Sequence, residues 1–157
     1  VDWAHRRHAR DTGLPRAAGL RGRRSHIARW VIGSDQVLAS LAEMAPVTAV
    51  AGNNDLHLAH LGLPAHANTL LDGARVHLVH RLQDAQPLAE TNVVVHGHSH
   101  KALVAERDGG LDVHPGAAGR VGFHQVITVG LLQIDRTGCH AEIVTLGPRK
   151  AASATVV

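Results

Sequence analysis

The sequence predicts an α/β fold in which two packed sheets are flanked by helices, and three observations lead there. The first half alternates a helical period with short β-branched runs. The second half is strand-rich, broken by glycine turns such as Asp108-Gly-Gly110. Three of the early runs end in a polar residue able to bind a metal. That placement is expected of an open α/β sheet, which builds its sites at the carboxyl edge.

The elements follow in order. Asp35–Met44 reads as a helix with Val37, Leu38, Leu41 and Met44 on one face, where a methionine is expected to be core. Strands are expected at about 47–51, 75–80 and 92–96, the last two joined by a short helix or irregular link containing Pro87. Beyond a histidine-rich loop come strands at about 102–106, 111–114, 125–134 and 140–146, then a loose tail at 148–157. No internal repeat is visible. A chain of 157 residues is one domain, large enough to bury about two thirds of its unfolded surface. Its 45% apolar content supplies a core of Val, Leu, Ala and Ile. Cys139 is the one cysteine, which rules out an internal disulfide and fits a reducing cytoplasm. It lies in an expected hairpin and reads as structural. No apolar stretch reaches the length of a membrane span.

The segment Asn92-Val-Val-Val-His-Gly-His-Ser-His-Lys101 carries the most information about function. A short buried strand stops at Gly97, and His98 and His100 follow with one residue between them. A glycine lets the backbone bend so that both rings can converge, and neutral imidazole is the commonest metal ligand. Alone, His-x-His is a weak signal in a chain with 14 histidines. Two further strands strengthen it. Val47-Thr-Ala-Val-Ala51 ends in Gly52-Asn53-Asn54-Asp55, and Arg75-Val-His-Leu-Val79 runs into His80. An amide oxygen with several imidazoles, completed by a carboxylate, suits Mn, Fe, Ni, Co or Zn.

These blocks, in this order, resemble the calcineurin-like metallophosphoesterases, in their small single-domain bacterial and archaeal phosphodiesterase branch. Ser34 to Leu41 and Ala45 to Asp55 look like the family's helix, strand and Gly-Asn-x-Asp loop. Val76-His-Leu-Val-His80 looks like its strand ending in a metal-binding histidine, Gly97-His-Ser-His100 matches its Gly-His-x-His block, and His114-Pro-Gly-Ala117 resembles its Asn-Pro-Gly-Ser turn. The likeness covers residues 33 to 147 or so. It implies a four-layer α/β/β/α sandwich of two mixed sheets flanked by helices, forming one domain over 1–147.

Carried over residue by residue, the resemblance makes Asn53, His80 and His98 ligands of one metal and His100 a ligand of the other, with His98 and Asn53 at the catalytic centre. Asn54 stands where larger relatives have a catalytic histidine, so it and the turn at His114 would line the substrate pocket. Asp55 would orient the loop. His96 reads as a buried or half-buried strand residue, and His57 and His60 as solvated helix residues, the alternative being that they donate a proton to the leaving group.

Residues 1–32 diverge. The family opens with a strand ending in Asp-x-His, and a second strand supplies an aspartate bridging both metals. Asp11-Thr-Gly-Leu14 is the nearest counterpart of the first, lacking the histidine, and Val31 stands at the place of the bridging acid. Eight of the 16 basic residues and two acids fall in residues 1–30, a net +6, so the remainder carries −3 of the stated +3. The early strands are accordingly expected to be missing or displaced, His26 to Ile32 being the only strand-like stretch, interrupted by Arg29. Three explanations stay open. One is a basic arm for a polyanion, which the 2% aromatic content argues against for nucleic acid. Another is a divergent terminus that abolishes the second metal. The third is a shifted reading frame, since a GTG codon at Val31 would place Gly-Asp in another frame of Trp30-Val-Ile32.

The function implied is hydrolysis of phosphodiester or phosphomonoester bonds by hydroxide generated at a metal. The cofactors would be divalent ions (Mn, Ni, Co, Fe or Zn), two in the family and one here if the amino-terminal ligands are lost. The partner would be a phosphate ester, with no membrane; a homo-oligomer stays open. The alternative is a non-catalytic binding or scaffold protein on the same fold with an incomplete dinuclear site, as some superfamily members are.

Overall fold

The computed structural model describes residues 27–30 as backbone, and residues 34–53, 55–119 and 124–149 in full. Its first strand, β1 (Ile27–Trp30), pairs in parallel with β2 (Val47–Val50), Ile27 opposite Val47 and Trp30 opposite Val50. It falls inside the one strand-like stretch expected of this region, His26 to Ile32; ladder hydrogen bonds use the backbone, so Arg29 does not interrupt the pairing. Val31 and residues 1–26 lie outside the described residues.

Helix α1 (Asp35–Ala42) joins the two strands. Asp35 sits in the first turn, where a carboxylate complements the helix dipole, and its Oδ1 accepts the Gln36 N–H at 2.8 Å. Leu41 is the residue this helix buries. The helix stops two residues earlier than expected and leaves Met44 57% exposed, so Met44 is not core. Pro46 explains the stop, because the residue before a proline is pushed out of the helical region.

The main sheet has five strands in the order β3-β4-β5-β7-β6, comprising β3 (His66–Leu71), β4 (Ala74–Val79), β5 (Val93–Val95), β6 (Leu103–Arg107) and β7 (Gly110–His114). β4, β5 and β7 run parallel, while β3 and β6 pair antiparallel at the two edges. All three residues of β5 are buried, as a continuous apolar run in a parallel sheet requires. β3 was not anticipated. Its side chains alternate between exposed and half-buried, and its sequence, His-Ala-Asn-Thr-Leu-Leu, lacks the β-branched run that marks the inner strands.

A long hairpin, β8 (Val126–Asp135) and β9 (Gly138–Pro148), forms a separate two-stranded sheet. Its Leu132, Cys139 and Ala141 pack on a core of Val50, Val76, Leu78, Val93, Val95 and Val113. One face of the main sheet therefore meets both β2 and the hairpin, and the half-buried Cys139 is part of that packing. The architecture is a mixed α/β fold of one five-stranded sheet, two smaller sheets and, among the described residues, one α-helix. No helix among them is long and apolar enough to cross a membrane.

Because β4, β5 and β7 are parallel, their carboxyl ends share one edge. That edge carries His80, the stretch from His96 to His100, and His114.

Candidate metal centre

The strand ends are tied together by backbone before any side chain acts. The His96 N–H donates to Val113 O at 2.9 Å, and the Gly97 N–H donates to His80 O at 3.0 Å. After β2, Asp55 folds the loop back on itself. Its Oδ2 accepts the Gly52 N–H at 2.9 Å, and its own N–H donates to Gly52 O at 3.1 Å. This is the loop-orienting part expected of Asp55, and it holds Asn53 against the sheet edge.

The result is a close group of three donor atoms. His80 Nε2 lies 2.6 Å from Asn53 Oδ1 and 3.1 Å from His98 Nδ1. The two rings meet edge to face, with centroids 5.0 Å apart. A single proton on His80 Nε2 cannot serve both neighbours well. Burial, and secondarily the His98 charge, lower the His80 pKa, which favours the neutral ring that binds metals. His80 Nδ1 is itself buried without a hydrogen-bond partner.

The bend that brings His98 into place does not come from Gly97. The left-handed residues are His98 (φ 74°) and His100 (φ 59°), and the Ser99 N–H donates back to Gly97 O at 3.0 Å. An i to i+2 bond closed around a positive φ is a strained γ-turn. Histidine tolerates this region better than most side chains, and strain of this kind collects at functional sites. The expectation that glycine supplies the bend is therefore corrected: the two histidines carry it.

His100 is half-buried and sits edge to face with His124, ring centroids 5.4 Å apart. Burial lowers its pKa, and the His124 and His98 charges add to the effect. His114 closes β7 and is almost wholly buried. Its Nδ1 accepts the Gly116 N–H at 2.9 Å, which leaves the proton on Nε2. Burial, with His96 next to it (centroids 5.2 Å), pushes the His114 pKa down to about 4. His96 is buried, as expected for a strand residue. His57 and His60 are exposed on a 3₁₀ helix, Leu56–Leu61. Asp11 and Asn54 lie outside the described residues.

The trio suits a divalent ion in donor type and spacing. Ligands at about 2.1 Å from a metal stand about 3 Å apart when octahedral, and two imidazoles with an amide oxygen fit a borderline ion. Among the described residues, no three His, Cys, Asp or Glu side chains gather into a metal-ready group. The trio would thus be a partial sphere with positions left for water or substrate. His124 was missed by sequence reasoning, since nothing in its neighbourhood forms a motif.

A model of the calcineurin-like phosphoesterase superfamily domain matches residues 11–137, beginning at Asp11. No curated protein matches the chain. Among solved structures, a single-mutant Vps29 from Entamoeba histolytica is similar at TM-score 0.60 and 18% identity, over 80% of this chain and 84% of that one. An archaeal phosphodiesterase is similar at TM-score 0.57 and 19% identity, over 75% and 83%. Wild-type Vps29 from E. histolytica complexed with zinc is similar at TM-score 0.51 and 16% identity, over 77% and 83%. At these identities the likeness is one of fold.

Proposed function

The chain belongs to the calcineurin-like phosphoesterase superfamily, and on that premise we propose that it is a metal-dependent hydrolase of phosphodiester or phosphomonoester bonds. The observation carrying this reading is the convergence of Asn53 Oδ1, His80 Nε2 and His98 Nδ1. These residues would hold one divalent ion, Mn, Ni, Co, Fe or Zn. A zinc complex of a protein sharing the fold is consistent with that. Such an ion supplies positive charge against the phosphate oxygens and lowers the pKa of water.

The chain's own residues do the rest. His80, buried and neutral, is fixed from behind by its carbonyl's bond to the Gly97 N–H. Asn53 and His98 are exposed, so a phosphate ester can reach the centre from their side. His114 is read as shaping the pocket turn through Gly116. Asn54 is read as a substrate contact, and Asp11 and His100 as ligands of a second ion. We read the fold as the family's four-layer sandwich, residues 1–147 as one domain, and the single free thiol, Cys139, as fitting the cytoplasm.

A second reading is favoured by one observation: among the described residues no carboxylate joins the trio. On that reading the chain binds an ion or a protein partner without hydrolysis. Hydrolysis of an aryl phosphodiester with added Mn, Ni or Co decides between them. The proposed function requires metal-dependent turnover, weaker than the family's if the second metal is lost, that falls by at least about 100-fold in His98→Ala. Metal binding with no turnover supports the second reading.

A further inference from the structure

His124 has the hydrogen-bonding pattern of a metal ligand. Its Nε2–H donates to Gly119 O at 2.9 Å, which fixes the tautomer and leaves the lone pair on Nδ1. That Nδ1 is buried and has no hydrogen-bond partner, in a residue only 8% exposed. An imidazole that donates one nitrogen to a backbone carbonyl, with the other nitrogen bare, is the usual second-shell arrangement of a metal-binding histidine. A lone pair buried unsatisfied is unfavourable, so something should compensate it. Its ring neighbour is His100, at 5.4 Å between centroids, held in a left-handed backbone conformation (φ 59°). The site is anchored further by Arg149, whose Nε donates to His124 O at 2.8 Å and whose N–H donates to Gln125 O at 2.8 Å.

We propose that His124, through Nδ1, and His100 bind a divalent transition-metal ion next to the Asn53–His80–His98 centre. The connection between β7 and β8 thereby supplies a ligand where the amino-terminal segment lacks the family's histidine and bridging acid. The inference rests on the proposed metal centre and concerns a different ion. Zinc, nickel or cobalt suits a site with two imidazole ligands.

The test is zinc titration of the full chain, with bound metal counted by elemental analysis and imidazole nitrogens followed by long-range ¹H–¹⁵N spectra. The expected result is two zinc ions per chain, with His124 Nδ1, and not its Nε2, shifting on binding. His124→Ala and His100→Ala should each lose one ion while the affinity of the other changes by less than about threefold, below 1 kcal/mol. His98→Ala should lose the other ion. An unshifted His124 Nδ1 in the unmutated chain at zinc saturation overturns the proposal, whatever the variants do. If instead His98→Ala leaves metal binding intact while His124→Ala removes it, the proposed Asn53–His80–His98 centre fails and the His124 site stands.

Discussion

Replacing Gly116 by alanine should destabilise the turn that follows β7 and packs on Thr128. Gly116 has φ +83°, a left-handed conformation that costs an L-residue about 1–2 kcal/mol. The added Cβ would collide with Thr128 Oγ1 and lie 3.3 Å from the Ala102 Cβ. Thr128 has little room to retreat. It is 5% exposed, its hydroxyl donates to Pro115 O at 2.8 Å, and its Oγ1 accepts the Ala117 N–H at 3.3 Å. Overpacking against a fixed group adds about 1–3 kcal/mol, so the total is about 2–5 kcal/mol. That is a large part of the stability of a domain with about 5–15 kcal/mol to lose. The assay is urea unfolding of wild type, Gly116→Ala, Thr128→Ala and the double variant. Thr128→Ala removes the colliding oxygen but strands Pro115 O, so the two changes should couple, the double variant being less destabilised than the sum by about 0.5–3 kcal/mol. A Gly116→Ala loss within about 0.5 kcal/mol, the range of an ordinary surface change, would refute the reasoning.

Other expectations follow from the same structure. Leu78→Ala, at a fully buried position in β4, an inner strand of the main sheet, should cost about 2–5 kcal/mol in chemical denaturation. Saturating Mn or Zn should raise the melting temperature of the wild type by more than that of His80→Ala, which loses one of the two ions, because bound metal stabilises only the folded state; an equal rise in both would remove His80 from the centre. His77 should contribute to acid sensitivity. Its Nε2 accepts the Gln86 N–H at 3.2 Å, its Nδ1–H donates to Asn68 Oδ1 at 2.8 Å, and burial first, then His66 and Arg107, lower its pKa. A lowered histidine pKa means that the unfolded chain binds the proton first as pH falls, so this stability is full above the ordinary histidine value of 6.5 and is lost below it. His77→Gln should therefore flatten the fall of melting temperature on acidification, and an unchanged slope would count against the assignment.

What was legible in the sequence followed from strand chemistry. Val93–Val95 is readable as the continuous apolar run of an inner parallel strand, and Arg75 to Val79 as an alternating run that continues into His80; their parallel order puts their ends on one edge. His80 and His98 follow those strand ends and Asn53 follows β2 of a smaller sheet, so the resemblance to the family was needed to name all three together. β3 was not legible, because an edge strand with one face open to water carries no continuous apolar run. β1 was underestimated because Arg29 and Trp30 hide a backbone pairing that does not depend on them. The bend at Gly97 was attributed to the wrong residues, since a positive φ on histidine is a tertiary outcome that no local propensity announces. His124 was invisible for a similar reason: its significance is an orphaned nitrogen, defined only when Gly119 O takes the other one.

The central claim is that Asn53, His80 and His98 form one metal centre. Crystals grown with Mn should show an anomalous density peak about 2.0–2.3 Å from Asn53 Oδ1, His80 Nε2 and His98 Nδ1 together. Anomalous density found only away from these three atoms, or the trio intact with no peak between them at saturating Mn, would contradict the account.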